Sequence, residues 1–131
     1  MKKLIEAAKK AQKNAYAPYS NFPVGAAIQT SSGKIYTGAN VENAAFPLTR
    51  CAEQIAVGAM VTAGEREIEA VVIVSTSSPP AAPCGACRQV LAEFASPETP
   101  VVCVNDRGEE RRYRLGELLP EAFSLRSPKT R

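Results

Sequence analysis

The sequence contains no histidine. That excludes Ser-His-Asp and Cys-His nucleophilic catalysis, the HExxH zinc proteases and any imidazole metal ligand. A bound metal must then be held by thiolates or carboxylates, and a general base is expected to be a carboxylate. No apolar run approaches the roughly 20 residues that a membrane-spanning helix needs. Internal repeats and low-complexity tracts are missing too. The opening MKKLIEAAKK begins like an export signal but lacks its long apolar stretch, and Lys9, Lys10 and Lys13 follow within it or close behind. It reads as an amphipathic helix, so a cytoplasmic location is expected. In a reducing compartment the four cysteines, Cys51, Cys84, Cys87 and Cys103, point to a metal or to catalysis before disulfides.

What is present is an ordinary globular composition. The 131 residues (14.0 kDa) are 45% hydrophobic and 22% charged, enough for one domain over residues 1–131 with a core that needs no staples. The net charge of +3 comes from 16 basic and 13 acidic residues. The basic residues are spread out, and the densest stretch, 107–114, also holds Glu109 and Glu110. Neither nucleic acid nor a membrane is an expected partner.

Helical spacing of Leu4, Ile5, Ala8 and Ala11 predicts a helix over 2–15. Residues 24–28 and 34–38 read as strands around the turn Ser31-Ser32-Gly33. Residues 39–49 form a loop of functional length. A helix is expected over 51–63, with Thr49 as N-cap and Gly64 at its stop. Strands at 71–74 and 101–104 are continuous β-branched or apolar runs, expected to be buried on both faces. Between them a loop over 75–83 leads into a helix over 83–94. A short strand at 111–114 and a short helix at 115–119 follow. The expected fold is α/β, a three-layer α-β-α arrangement whose central sheet of about five strands is mixed but mostly parallel.

The chemistry concentrates at two helix starts. Cys84-Gly85-Ala86-Cys87 follows Pro83, and two thiols at this spacing can grip one metal, with the helix N-terminus favouring the thiolates. A redox pair is a competing reading that leaves Cys51 idle. Cys51-Ala52-Glu53 opens the other central helix, where Glu53 can also be a first-turn acid favoured by the helix dipole. Taken together, three cysteines at helix starts can supply three sulfur ligands to zinc and leave the fourth position open, the pattern of a catalytic site. One geometric condition applies. Residues i and i+2 lie about 200° apart on a regular helix, so Cys51 and Glu53 can share a site only if the first turn points at it end-on.

With Tyr16-Ala17-Pro18-Tyr19-Ser20, Phe22-Pro23-Val24-Gly25-Ala26-Ala27, Asn40-Val41-Glu42-Asn43-Ala44, Pro83-Cys84-Gly85-Ala86-Cys87-Arg88-Gln89 and Leu118-Leu119-Pro120-Glu121-Ala122-Phe123, the chain resembles the zinc-dependent cytidine deaminases of the small homotetrameric kind with three cysteine ligands. The resemblance covers nearly the whole chain. It implies one zinc per chain on Cys51, Cys84 and Cys87, and Glu53 as proton shuttle. It also implies that Asn40 and Glu42, with Val41 between them, meet the ribose. Phe22 is then a wall beside the pyrimidine, the Ala52 backbone contacts the base, and Phe123 reaches a neighbouring subunit's site. The implied reaction is hydrolytic deamination of cytidine and 2′-deoxycytidine in pyrimidine salvage, by a cytoplasmic homotetramer. Another aminopyrimidine nucleoside is the nearest rival substrate. A zinc-stabilised binding module is the rival of another class, but it needs four protein ligands and gives Glu53 no role. The residue after the catalytic Glu is often arginine in this family, and here it is Gln54. That leaves Arg88, directly after Cys87, as the expected cation that draws charge from the thiolates.

Overall fold

The computed structural model describes residues 1–125. Helix α1 (Lys2–Gln12) leads into β1 (Gly25–Thr30) and β2 (Ile35–Ala39). A short 3-10 turn (Phe46–Leu48) precedes α2 (Ala52–Thr62), β3 (Ile68–Ser75), α3 (Gly85–Ala92), β4 (Pro100–Asn105), β5 (Glu110–Arg114) and α4 (Leu115–Leu118). The five strands form one sheet in the order β2-β1-β3-β4-β5.

The expected layers and mixed sheet are present, but the sheet is not mostly parallel. Only β3 and β4 pair parallel, while β1–β2, β1–β3 and β4–β5 are antiparallel. The reason lies in the first crossover. Strands β2 and β3 run in the same direction, as a strand-helix-strand unit requires, but β1 lies between them and pairs antiparallel with both. Only the second unit, β3-α3-β4, closes onto an adjacent strand.

Alternation along the strands divides the core in two. Ala27, Val72, Val74, Val102 and Val104 turn toward Leu4 and Ala8 of α1. Ala26, Ile28, Val71, Ile73, Val101 and Cys103 turn toward Ala56 and Met60 of α2 and Leu91 of α3. Burial at about 25 cal/mol per Å² of apolar surface is what holds these layers together. On the second face α2 comes very close to the sheet. A Cβ at Gly38 of β2 would lie 2.5 Å from the backbone of Ala52 and of Ala56. Only glycine admits that approach, and it sets the first turn of α2 against the sheet.

Both cysteine helices begin on the cysteines themselves. Cys51 is the N-cap of α2 and Cys84 the N-cap of α3. Thr49, expected as the N-cap, lies two residues short; its hydroxyl instead accepts from the Asn43 N–H at 3.1 Å. The far end of α2 closes as a Schellman motif. Gly64 takes φ +94°, its N–H reaches the Val61 carbonyl at 2.9 Å, and the Glu65 N–H reaches Met60 at 3.1 Å. Among the described residues no helix is long and apolar enough to cross a membrane.

Candidate active site

Parallel strands feeding helices place both helix starts at one end of the sheet. The Cys51, Cys84 and Cys87 sulfurs lie within 4.8 Å of one another. Cys51 and Cys84 are 3.9 Å apart, Cys84 and Cys87 3.3 Å. A tetrahedral zinc with Zn–S bonds of about 2.3 Å sets its sulfurs about 3.8 Å apart. The three side chains therefore fit a zinc ion as they stand, and three sulfurs leave its fourth position open. Cys103 is fully buried in β4 and belongs to the core, not to this cluster.

The end-on condition is met through the cap. Cys51 has φ −74° and ψ 156°, so it lies outside the helical spiral and the 200° rule does not separate it from Glu53. Both residues line one cleft of about 320 Å³. Glu53 is only 4% exposed. Burial pushes its carboxyl up to about 7; its own backbone N–H and the Cys87 thiol pull it down, and Cys51 pushes it further up. The thiols divide in the opposite sense. Cys51 is lowered to about 6, first by the neighbouring Cys87, then by Cys84 and Arg50, against the cost of burial. Cys87 is raised, first by Cys51 and then by burial. The cluster gives up one proton readily and resists losing more, so full ionisation calls for a cation at its centre.

Each helix start also supplies polar neighbours. The Gln54 side-chain amide donates to the Cys87 sulfur at 3.6 Å. Arg88 does not reach a sulfur: its Nε donates to the Pro83 carbonyl at 2.6 Å and its Nη1 to the Leu118 carbonyl at 2.8 Å. Arg50 donates to the Pro47 and Thr49 carbonyls at 2.8 and 2.9 Å.

The opposite wall is built from the loop residues. Asn40 is buried and ties down the chain beside it, accepting from the Val24 N–H and donating to the Phe22 carbonyl, each at 2.9 Å. The Glu42 carboxylate accepts from the Tyr19 and Ser20 N–H groups at 2.9 and 3.1 Å and from the Ser20 hydroxyl. The Ser20 hydroxyl holds its carboxyl below the usual range. Phe22, Asn40, Glu42 and Ala52 all line the cleft with the cysteines and Glu53. Val41 and Phe123 do not. Val41 exchanges two backbone hydrogen bonds with Arg50, both 2.9 Å, which fastens the loop to the residue before Cys51. Phe123 is 68% exposed. Ile73, Ala81 and Ala82 also line the cleft and were not anticipated. A strand buried on both faces has no alternation to show which side Ile73 takes, and nothing local marks two alanines in a loop.

A zinc-fitting sulfur triad beside a buried carboxylate agrees with the likeness to known proteins. Residues 1–103 match the family model described as the cytidine and deoxycytidylate deaminase zinc-binding region. The chain belongs to this family. It is 46% identical over 124 residues to a cytidine deaminase of Sporosarcina psychrophila, covering 95% of this chain and 91% of that one. A crystal structure of cytidine deaminase from Burkholderia pseudomallei superposes with a TM-score of 0.89 at 49% identity, over 93% of this chain and 98% of that one. One from Mycobacterium tuberculosis gives 0.79 at 40% identity, over 95% and 97%. The protein is an enzyme of this zinc-dependent family, with one zinc per chain.

Proposed function

We propose that the chain deaminates cytidine and 2′-deoxycytidine hydrolytically, releasing ammonia and serving pyrimidine salvage. The observation that carries this is the joining of three zinc-spaced sulfurs and the Glu53 carboxyl in one cleft. Cys51, Cys84 and Cys87 hold the zinc, which when bound supplies a Lewis acid that polarises the attacking water. Glu53 takes a proton from that water and delivers it to the ring N3, which makes C4 attackable. The hydroxide left behind adds to C4; Glu53 then moves the proton of the added hydroxyl to the amine, the C4–N bond breaks, and ammonia leaves as the C4 carbonyl forms. The burial of Glu53, the largest cause that raises its carboxyl, suits a group that must accept and release protons in turn.

The rest of the cleft supports a nucleoside. Each polar end of the Asn40 amide makes one hydrogen bond and has capacity for one more. Glu42 accepts three hydrogen bonds out of about four lone-pair sites, so one remains for a sugar hydroxyl. Phe22 flanks the base and the Ala52 backbone meets it; Val41 acts by fixing the loop. Gln54 and Arg88 support the cysteine turns from behind. We read residues 1–131 as a single catalytic domain acting in the cytoplasm as a homotetramer, with Phe123 reaching a neighbour's cleft. Phe46, 77% exposed, and Leu48, 58% exposed, support an assembly that covers them.

The test is direct. Purified protein incubated with cytidine should lower the absorbance of the cytosine ring and release one ammonia per uridine formed. Retention of cytidine, with turnover of another aminopyrimidine nucleoside, would move the substrate but not the chemistry. No turnover of any of them by zinc-loaded protein would sink the reading.

A further inference from the structure

Arg88 and Gln89 sit directly behind Cys87, yet their side chains point at the C-terminal segment. The Arg88 guanidinium bridges two carbonyls far apart in sequence, Pro83 at 2.6 Å and Leu118 at 2.8 Å. The Gln89 amide donates to the Phe123 carbonyl at 3.1 Å. Between those two anchors, Leu118, Leu119 and Ala122 pack on the core. Glu121 takes φ +53°, a left-handed conformation that a non-glycine residue adopts only where its surroundings enforce it. The segment is thus held at both ends by two consecutive side chains of α3, and Phe123 is presented to solvent at its far end.

We propose that Arg88 is a positioning residue that fixes the C-terminal segment to the cysteine-bearing turn and thereby places Phe123. This rests on the proposed role of Phe123 at a neighbouring cleft. It assigns Arg88 a function of shape, not of charge. A planar fork can serve two carbonyls at once, whereas a lysine ammonium on a flexible stem carries the same charge without that geometry.

Arg88→Lys therefore separates the two roles. The sequence has no tryptophan, so Phe123→Trp in the zinc-loaded enzyme gives a single fluorophore on the segment. Arg88→Lys in that background should raise acrylamide quenching of the tryptophan while zinc stays at one per chain. In the otherwise native enzyme, Arg88→Lys should raise KM for cytidine by about tenfold, at the lower end of outer-shell effects, with kcat little changed. Gln89→Leu should move quenching and KM in the same direction and serves if the arginine variant does not fold. Quenching and KM unchanged in Arg88→Lys, with losses only in Arg88→Gln, would overturn the proposal in favour of a charge role. Loss of zinc in Arg88→Lys would overturn it too. Raised quenching with unchanged KM would keep the clamp but remove Phe123 from substrate binding, so the two readings fail separately.

Discussion

The two ends of α2 each hold a glutamate, and they treat it in opposite ways. At the first turn Glu53 is buried among thiols and apolar side chains, and burial raises its carboxyl to about 7. Just past the last turn, Glu65 accepts from the Ser32 hydroxyl at 2.8 Å and the Tyr36 hydroxyl at 2.6 Å. Hydrogen bonding from Thr30, Tyr36 and Ser32 holds its carboxyl below the usual range. The residue type is the same, and a single helix separates the two. What differs is whether the fold offers the charge donors or removes its water. The hairpin end uses its glutamate to fasten β1 and β2 to the helix. The cysteine end takes its glutamate out of water, and a carboxyl raised in that way is ready to trade protons.

The largest break in this comparison comes from the metal. Cys51→Ser, Cys84→Ser or Cys87→Ser should each lose zinc and, with it, measurable deamination. Cys103→Ser should keep one zinc per chain, because Cys103 lies in the core outside the sulfur cluster. Zinc analysis of the four purified variants checks this. Next come the glutamates themselves. Glu53→Gln should retain zinc and lose about 10²- to 10⁴-fold in kcat, the range for one proton-transferring group. Glu65→Gln should leave kcat where it is. Steady-state kinetics on the pair would expose any second proton carrier as residual turnover in the Glu53 variant.

Much of the cysteine end was legible in the sequence because its ligands come in short, local patterns. Cys51-Ala52-Glu53 and Cys84-Gly85-Ala86-Cys87 each lie within one helical turn, so no tertiary knowledge is needed to group them. Their shared position at helix starts is what joins the two groups into one three-sulfur site. What escaped depends on long-range pairing. The alternation of strands and helices tells the direction in which β3 runs, but not that β1 lies between β2 and β3. Gly38 reads as a strand residue, and only the packed helix shows why it cannot carry a side chain. The Glu65 network joins residues 29 and 33 positions apart, and none of them forms a motif. Arg88 was legible as a neighbour of Cys87, but its two carbonyl partners belong to different segments.

A smaller effect sharpens the glutamate contrast through pH, measured on zinc-stripped protein. The folded Glu53 carboxyl lies at about 7 against 4.5 unfolded. A raised acid keeps its proton in the folded state, so its contribution is fully present below 4.5 and is lost as pH rises toward 7. The 2.5-unit gap corresponds to about 3 kcal/mol. Cys51, lowered to about 6, acts the other way above that pH, so the difference between wild type and Glu53→Gln isolates the glutamate. Glu65 has the opposite sign. Its lowered carboxyl stabilises the fold above 4.5, and that contribution disappears as pH falls through its folded value. Urea midpoints across pH 3 to 8 should therefore show Glu53→Gln gaining on wild type as pH rises, and Glu65→Gln gaining on it as pH falls. Parallel profiles for all three proteins would mean that neither environment is as drawn.

The smallest expected effect belongs to Gln54, where the cysteine end borrows the device of the hairpin end. Here too a side chain donates a hydrogen bond to an anion, but the donor is a neutral amide and the bond to the Cys87 sulfur is long, 3.6 Å. Such a bond draws some electron density from the thiolate, and less than a cation in its place would draw. Gln54→Leu should make the sulfur a richer donor to the metal, and Gln54→Arg should make it a poorer one. Cobalt(II) substitution reads this directly, because the sulfur-to-cobalt charge-transfer band falls in energy as the sulfur gains density. The band should move to longer wavelength in Gln54→Leu and to shorter wavelength in Gln54→Arg. Deamination should change by no more than about tenfold in either variant, the lower end of outer-shell effects. Band positions that coincide in all three proteins would show that the amide does not act on the sulfur. The helix N-termini and the Arg50 guanidinium, which already lowers Cys51, would then be left to balance the thiolates.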